Sequence, residues 1–240
     1  MTPNPWALLS ERPPFVAAVD AKAVEEIDRW ARQEPARLHA YGLQTQLFPE
    51  PFIGRVDAPV VLWTANPGYA DEERVRKNAP LMSGTDAWWH ANSVALREAS
   101  AANLAHRDQP YPLFFLDPRL KGAPGHWYYT YKQMKWLTQV CGVQVVARNV
   151  LVVEEFPYHS RSYRAGWKLP SQAYSLELIR AAVKRKAILI LLRSAKILER
   201  EVPEIRSVTC LAPRVPRSPA LSPNNLPGFE DVTRRIELCG

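Results

Sequence analysis

An apolar run, Val60-Val61-Leu62-Trp63, ends in Asn66-Pro67-Gly68-Tyr69, with acidic residues directly behind it. Proline and glycine are turn residues, and a tight turn accounts for the letters. The chemical alternative is a base-binding loop at the end of a parallel strand. A second apolar run, Val150-Leu151-Val152-Val153, ends in Glu154-Glu155. Two adjacent acids at the end of such a run are hard to place in a core. An ionised carboxylate offers only acceptors, so Glu154 suits a partner that donates. Successive residues of a strand face opposite ways, so a one-residue shift would put Glu155 in that role. A salt bridge to Arg161 is the structural alternative. Tyr158, Tyr163 and Trp167 then interleave with Arg161, Arg164 and Lys168, a pattern in which cations take phosphates while rings stack on bases. A solvated loop would read the same way.

These stretches need elements to hold them. The segments VDAPVVLWTANPG, RNVLVVEEF and AILILLRS read as buried strands, and RSVTCLAP as a weaker fourth. Helical spacing covers residues 20–41, with Asp20 as its cap, and 86–105 and 126–140. ADEERVRKN starts a helix with acids in its first turn. SQAYSLELIRAAVKRK forms another with Ser171 as N-cap, and AKILEREV a short one. Alternating strands and helices predict an α/β fold: a three-layer αβα sandwich on a mainly parallel four-stranded sheet. Ligands of such sheets bind at the carboxyl ends of strands, so loops 65–69, 154–163 and 213–226 should meet at one edge. Residues 1–14, rich in proline, read as an N-terminal arm, and 15–240 as one domain.

Composition narrows the chemistry. The 240 residues carry a net charge of +7. Residues 156–240 hold 15 Lys and Arg against 7 Asp and Glu, so the basic excess lies in the C-terminal third, the footprint of a polyanion partner. Cys141, Cys210 and Cys239 lack C-x-x-C spacing and the five histidines lack H-E-x-x-H, so neither a disulfide framework nor a metal site is expected. Dinucleotide, P-loop and nucleophile-elbow motifs are missing. No stretch approaches the length of a membrane span, and nothing near Met1 reads as a secretory signal. A cytoplasmic monomer without metal or cofactor is expected.

Three motifs in order resemble the uracil-DNA glycosylase superfamily. Thr64-Ala65-Asn66-Pro67-Gly68 is similar to its G-I-N-P-G loop, of the mismatch-specific uracil and thymine branch. Val150 to Glu154 matches its middle strand, and Arg217-Ser218-Pro219-Ala220-Leu221-Ser222 its H-P-S-P-L-S or N-P-S-G loop, with Gly228-Phe229 following. The resemblance covers residues 55 to 240. It implies that Asn66 positions the attacking water. An amide can orient water but is a poor base. Gly68 stands where strict uracil enzymes have a wall-forming tyrosine, so the pocket is open to C5 substituents, with Tyr69 partly refilling it. Glu154 replaces an asparagine that reads the base; ionised, it would accept from the N4 amino group of cytosine and suits cytosine or a derivative better than uracil. His159 would stabilise the departing base or bind a phosphate. Arg217, whose charge is fixed, would bind a flanking phosphate of the DNA or support an anionic leaving base, Arg214 and Asn225 of the same loop would bind DNA, and Leu221 or Leu226 would wedge into the duplex. Trp88, Trp89, Phe114 and Phe115 include the stacking ring, with Phe115 favoured.

The expected activity is therefore a monofunctional DNA glycosylase. It would flip a damaged, mismatched or 5-modified pyrimidine from double-stranded or transiently single-stranded DNA and hydrolyse its N-glycosidic bond. Restriction of phage DNA carrying modified cytosine, or repair, would be the setting. The alternatives are a catalytically weak nucleic-acid-binding member of the fold and a hydrolase of a small nucleotide or nucleoside.

Overall fold

The structure is a computed structural model that describes residues 3–239. Its strands are Phe52–Ile53 (β1), Val60–Thr64 (β2), Val150–Glu154 (β3), Ile188–Leu191 (β4) and Cys210–Leu211 (β5). They form one sheet in the order β1-β3-β2-β4-β5. The β2–β3, β2–β4 and β4–β5 pairs are parallel and β1 pairs antiparallel with β3. The expected four strands are present. The sheet is nevertheless mixed and five-stranded, because the two-residue β1 was too short to leave a pattern. Asn103 secures this edge, accepting from the Gly54 amide (3.1 Å) and donating to the Phe52 carbonyl (2.7 Å). Gly54 has φ +120, and a Cβ there would lie 2.4 Å from the Val150 carbonyl oxygen, so the chain turns this corner only with glycine.

The helices are Ala21–Ala31 (α1), Pro35–Tyr41 (α2), Glu72–Asn78 (α3), Asp86–Asn92 (α4), Val94–Leu104 (α5), Pro124–Trp127 (α6), Lys135–Cys141 (α7), Val143–Asn149 (α8), Gln172–Lys184 (α9), Ala195–Glu201 (α10) and Phe229–Glu237 (α11). The single helix expected over 20–41 is two, because Pro35 lacks an N–H to donate and instead takes the first turn of α2. Pleating divides each central strand between two cores. Val61, Trp63, Leu151, Val153, Leu189 and Leu191 face one, packed with residues of α1 and α9. Val60, Leu62, Val150, Val152, Ile188 and Ile190 face the other, with residues of α5, α7, α8 and α11.

Two assignments at the N-terminal side change. Trp6 is 2% exposed and packs edge-on against Tyr158, so the part of the expected arm that is described is pinned to the core. Met1 and Thr2 lie outside the described residues. Asp20 and Ser171 make no side-chain cap bond. The buried Asp20 carboxylate instead accepts from the Tyr158 hydroxyl and the Ser171 amide, both at 2.9 Å, joining the N-terminal segment to the start of α9. Among the described residues no helix is long and apolar enough to cross a membrane.

Candidate functional site

The register of β2 against β3 sets Thr64 beside Glu154 at the carboxyl ends of both strands. A cavity of about 490 Å³ opens there, in the size range of small-molecule sites. Asn66, Gly68, Tyr69, Phe115, Glu154, His159 and Arg161 all line it; loops 65–69 and 154–163 meet here, while the third expected loop, 213–226, contributes no residue to this cavity.

Asn66 directs its amide nitrogen toward Ser160, 3.3 Å from Oγ and 3.4 Å from the carbonyl. That orientation leaves Oδ1 to accept from a water. Gly68 has φ +76 and nothing within 4 Å of a built Cβ. Space beside it is open, and its backbone conformation also requires glycine. The Tyr69 hydroxyl titrates above its ordinary value, chiefly through burial and then through Asp86 and Asp71. Phe115 stacks on Tyr129 with centroids 5.6 Å apart. A Cβ on Gly125 would lie 2.3 Å from the Phe115 ring, so that glycine makes the room in which the ring sits.

Glu154 faces the cavity, and Glu155, on the opposite side of the strand, does not line it. Burial, and then the charge of Glu50, hold the Glu154 carboxyl well above the usual range, against the Thr64 hydroxyl bond and Arg193. That direction favours the neutral acid over the ionised carboxylate expected from the sequence. A neutral acid is both donor and acceptor. Protonated, it pairs equally with the N3/N4 edge of cytosine or the N3/O4 edge of uracil; ionised, it accepts from the cytosine amino group. Its Oε2 is buried and without a partner.

His159 is 4% exposed, with Nδ1 2.9 Å from the Gly68 carbonyl and Nε2 3.1 Å from the Phe48 carbonyl and 3.4 Å from Glu50. Burial alone would lower its pKa. The Glu50 charge and hydrogen bond, Asp86 and the Gly68 carbonyl outweigh that and raise it to about 9. It is thus an imidazolium with both N–H groups engaged. Its charge is fixed in the cavity wall, and its hydrogen bond to Gly68 clamps the Asn66 loop.

Glu50, His90 and His159 present ligand atoms within 4.8 Å of one another, the donor set of some zinc sites. The hydrogen bonds argue otherwise. The Phe48 amide donates to His90 Nδ1 at 3.2 Å, which places the His90 proton on Nε2. Both His159 nitrogens point at carbonyls. Neither ring has a lone pair to give a metal, and the cluster reads as an ion pair with a neutral His90, lowered to about 3 by burial and by His159.

Several cavity residues were not foreseen. Tyr128, Tyr129 and Gln133 come from a π-helical turn, Tyr128–Gln133, a local widening common at functional sites. Gln133 is 1% exposed, its Nε2 3.3 Å from the Tyr128 hydroxyl and its Oε1 without a partner. Asp86, at the start of α4, accepts from the Ala70 amide at 2.6 Å. Burial raises its pKa to about 6, against His159 and the Ala70 bond.

Other expected nucleic-acid contacts are engaged elsewhere. Arg161 pairs with Asp71, and not with either glutamate. Arg164 lies over the Trp30 ring at 4.2 Å, and Lys168 pairs with Glu201 at 3.4 Å. Arg214 donates to the Asn224 carbonyl. Asn225 braces its own loop, accepting from the Val215 amide and donating to the Ala220 carbonyl. Leu221 and Leu226 are 0% and 1% exposed. Both are core residues of the second cluster, which removes the expected wedge. Of that loop, Arg217 lines a smaller adjoining cavity. The chain matches no protein-family model, curated protein or solved structure.

Proposed function

We propose that the chain is a DNA glycosylase of the three-layer αβα type found in the uracil-DNA glycosylase superfamily, and that the 490 Å³ cavity receives an extruded pyrimidine. The observation that carries this reading is the pairing of two buried side-chain oxygens without partners, Glu154 Oε2 and Gln133 Oε1, with an aromatic wall of Phe115 and Tyr129 in one cavity. Buried polar atoms without partners are uncommon in folded chains and ask for a ligand. A planar heterocycle with hydrogen-bonding groups along one edge satisfies them and lies against the rings.

Asn66 orients the water and Asp86 is the group able to take its proton. A carboxylate with a pKa of about 6 is ionised at pH 7 and still basic enough to be useful. The His159 imidazolium supplies fixed positive charge as the base departs with the bond electrons. Its clamped nitrogens make it a positioning residue in this scheme. The product is free base plus an abasic site.

The test is incubation with duplexes containing uracil, mismatched thymine, 5-hydroxymethylcytosine or its glucosylated form, scored as alkali-labile sites. Sites on at least one duplex, lost in Asn66→Ala with binding retained, support the proposal. Salt-sensitive binding with no sites on any duplex supports a binding module instead. A second reading, hydrolysis of a free nucleotide, draws on the burial of Leu221 and Leu226, since a mononucleotide needs no wedge. Cleavage of nucleotides and of no duplex would favour it.

A further inference from the structure

Beside the base cavity lies a smaller one of about 230 Å³, and the two share Thr64, Arg74, Tyr128 and Arg193. Arg217 and Ser218 complete its polar lining, and no Asp or Glu contributes to it. Its three arginines come from separate places in the chain: α3, the residue pair after β4, and the loop after β5. Among the described residues none of the three has a carboxylate partner within 4.0 Å. Many of the chain's other arginines do, including Arg161 on the same rim.

Three guanidiniums around one small cavity repel one another, and their charge cannot be titrated away. Glu154 and Asp86 in the adjoining cavity feel Arg193 and Arg74, but neither forms an ion pair with them, and no acid lines the small cavity where Arg217 joins the two. A phosphoryl group supplies the missing charge, and its oxygens match the forked N–H geometry of arginine. We propose that Arg74, Arg193 and Arg217 form a phosphate subsite that holds the phosphoryl group of the nucleotide whose base occupies the neighbouring cavity. The assignment of the base rests on the function proposed above; the convergence of the arginines does not. The phosphoryl group belongs either to a phosphodiester of a DNA strand or to the terminal phosphate of a free nucleotide.

Calorimetric titration distinguishes these sources. The probes are inorganic phosphate, deoxyuridine and deoxycytidine, their 5′- and 3′-monophosphates, and a short single-stranded and duplex oligonucleotide. Arg74→Gln, Arg193→Gln and Arg217→Gln are compared with the wild type and with Arg148→Ala on α8, outside both cavities. Thermal melting checks that each variant folds. The expected result is tighter binding of phosphate-bearing probes than of nucleosides, and a loss of about tenfold for each Gln variant on the former alone. For oligonucleotides the salt slope should fall by about one per arginine removed. Equal losses in Arg148→Ala, unchanged affinities in the Gln variants, or binding of no phosphate-bearing probe would overturn the subsite. If phosphate binding depends on the arginines but no duplex yields an abasic site, the subsite stands and the glycosylase reading falls. If abasic sites form at rates indifferent to all three arginines, the reverse holds.

Discussion

His159 donates through Nδ1 to the carbonyl of Gly68, 2.9 Å away, and so ties the loop after β3 to the loop after β2. The two loops that carry the candidate site are therefore one mechanical unit, fastened by a buried charge. The partner on the other side is Glu50, and Asp86 stands close enough to reinforce the charge.

Stability should fall as the solution becomes alkaline. The folded pKa of His159, about 9, exceeds its ordinary value of 6.5. The contribution is fully present below 6.5 and is lost as pH rises through 9. The melting temperature should drop between pH 7 and 10, and the drop should be smaller in His159→Gln. At pH 7 that variant should itself be less stable, by on the order of 3 kcal/mol, because Glu50 stays buried without its cation. Calorimetry of both proteins across the range checks this.

Asp86→Asn should slow base release by about 10² to 10⁴, the usual span for removing a general base. In the wild type the rate should rise with pH through about 6 as the carboxyl ionises, and the variant should lose that limb. The groups acting on Asp86 are His159, Glu50, Arg74 and the Ala70 amide. A variant that keeps the pH profile with a uniformly lower rate would leave Asp86 with only its hold on Ala70.

Because burial and the Glu50 charge favour the neutral Glu154 carboxyl, Glu154→Gln should behave as a near-isostere and keep base affinity within a few-fold. Glu154→Ala should lose about tenfold or more, since it deletes the group that meets the base edge. Titration of the isolated site with free uracil and cytosine measures both. A large loss in the Gln variant would show that the site uses an ionised carboxylate.

Leu221→Ala should cost about 2 to 4 kcal/mol of stability, as expected for truncating a fully buried leucine. Its excision rate at a temperature where it stays folded should match the wild type. Denaturant unfolding and a rate assay on the same sample decide between a core residue and a wedge.

The apolar strands and the loops that follow them were legible because burial on both faces leaves continuous hydrophobic runs, as in Val150 to Val153. That placed Asn66 and Glu154 at one edge. The protonation state of Glu154 was not legible, since it depends on burial and on Glu50, about a hundred residues earlier. Tyr129 and Gln133 escaped because a π-helical turn has the composition of an α-helix. Arg193 was within reach: it follows β4 at the same carboxyl edge as the other loops, and the strand-end rule applies to it equally. Leu221 misled because a leucine between Ala and Ser in a proline-rich loop looks exposed until it is seen in one core with α11, its amide bonded to Gln133 of the π-helical turn.

Mass-spectrometric detection of free base released from a modified-pyrimidine duplex tests the central claim most directly. Wild-type protein should release one base per strand cleaved by alkali, with release abolished in Asn66→Ala and Asp86→Asn while duplex binding persists. Binding of every duplex with no free base from any of them would contradict it.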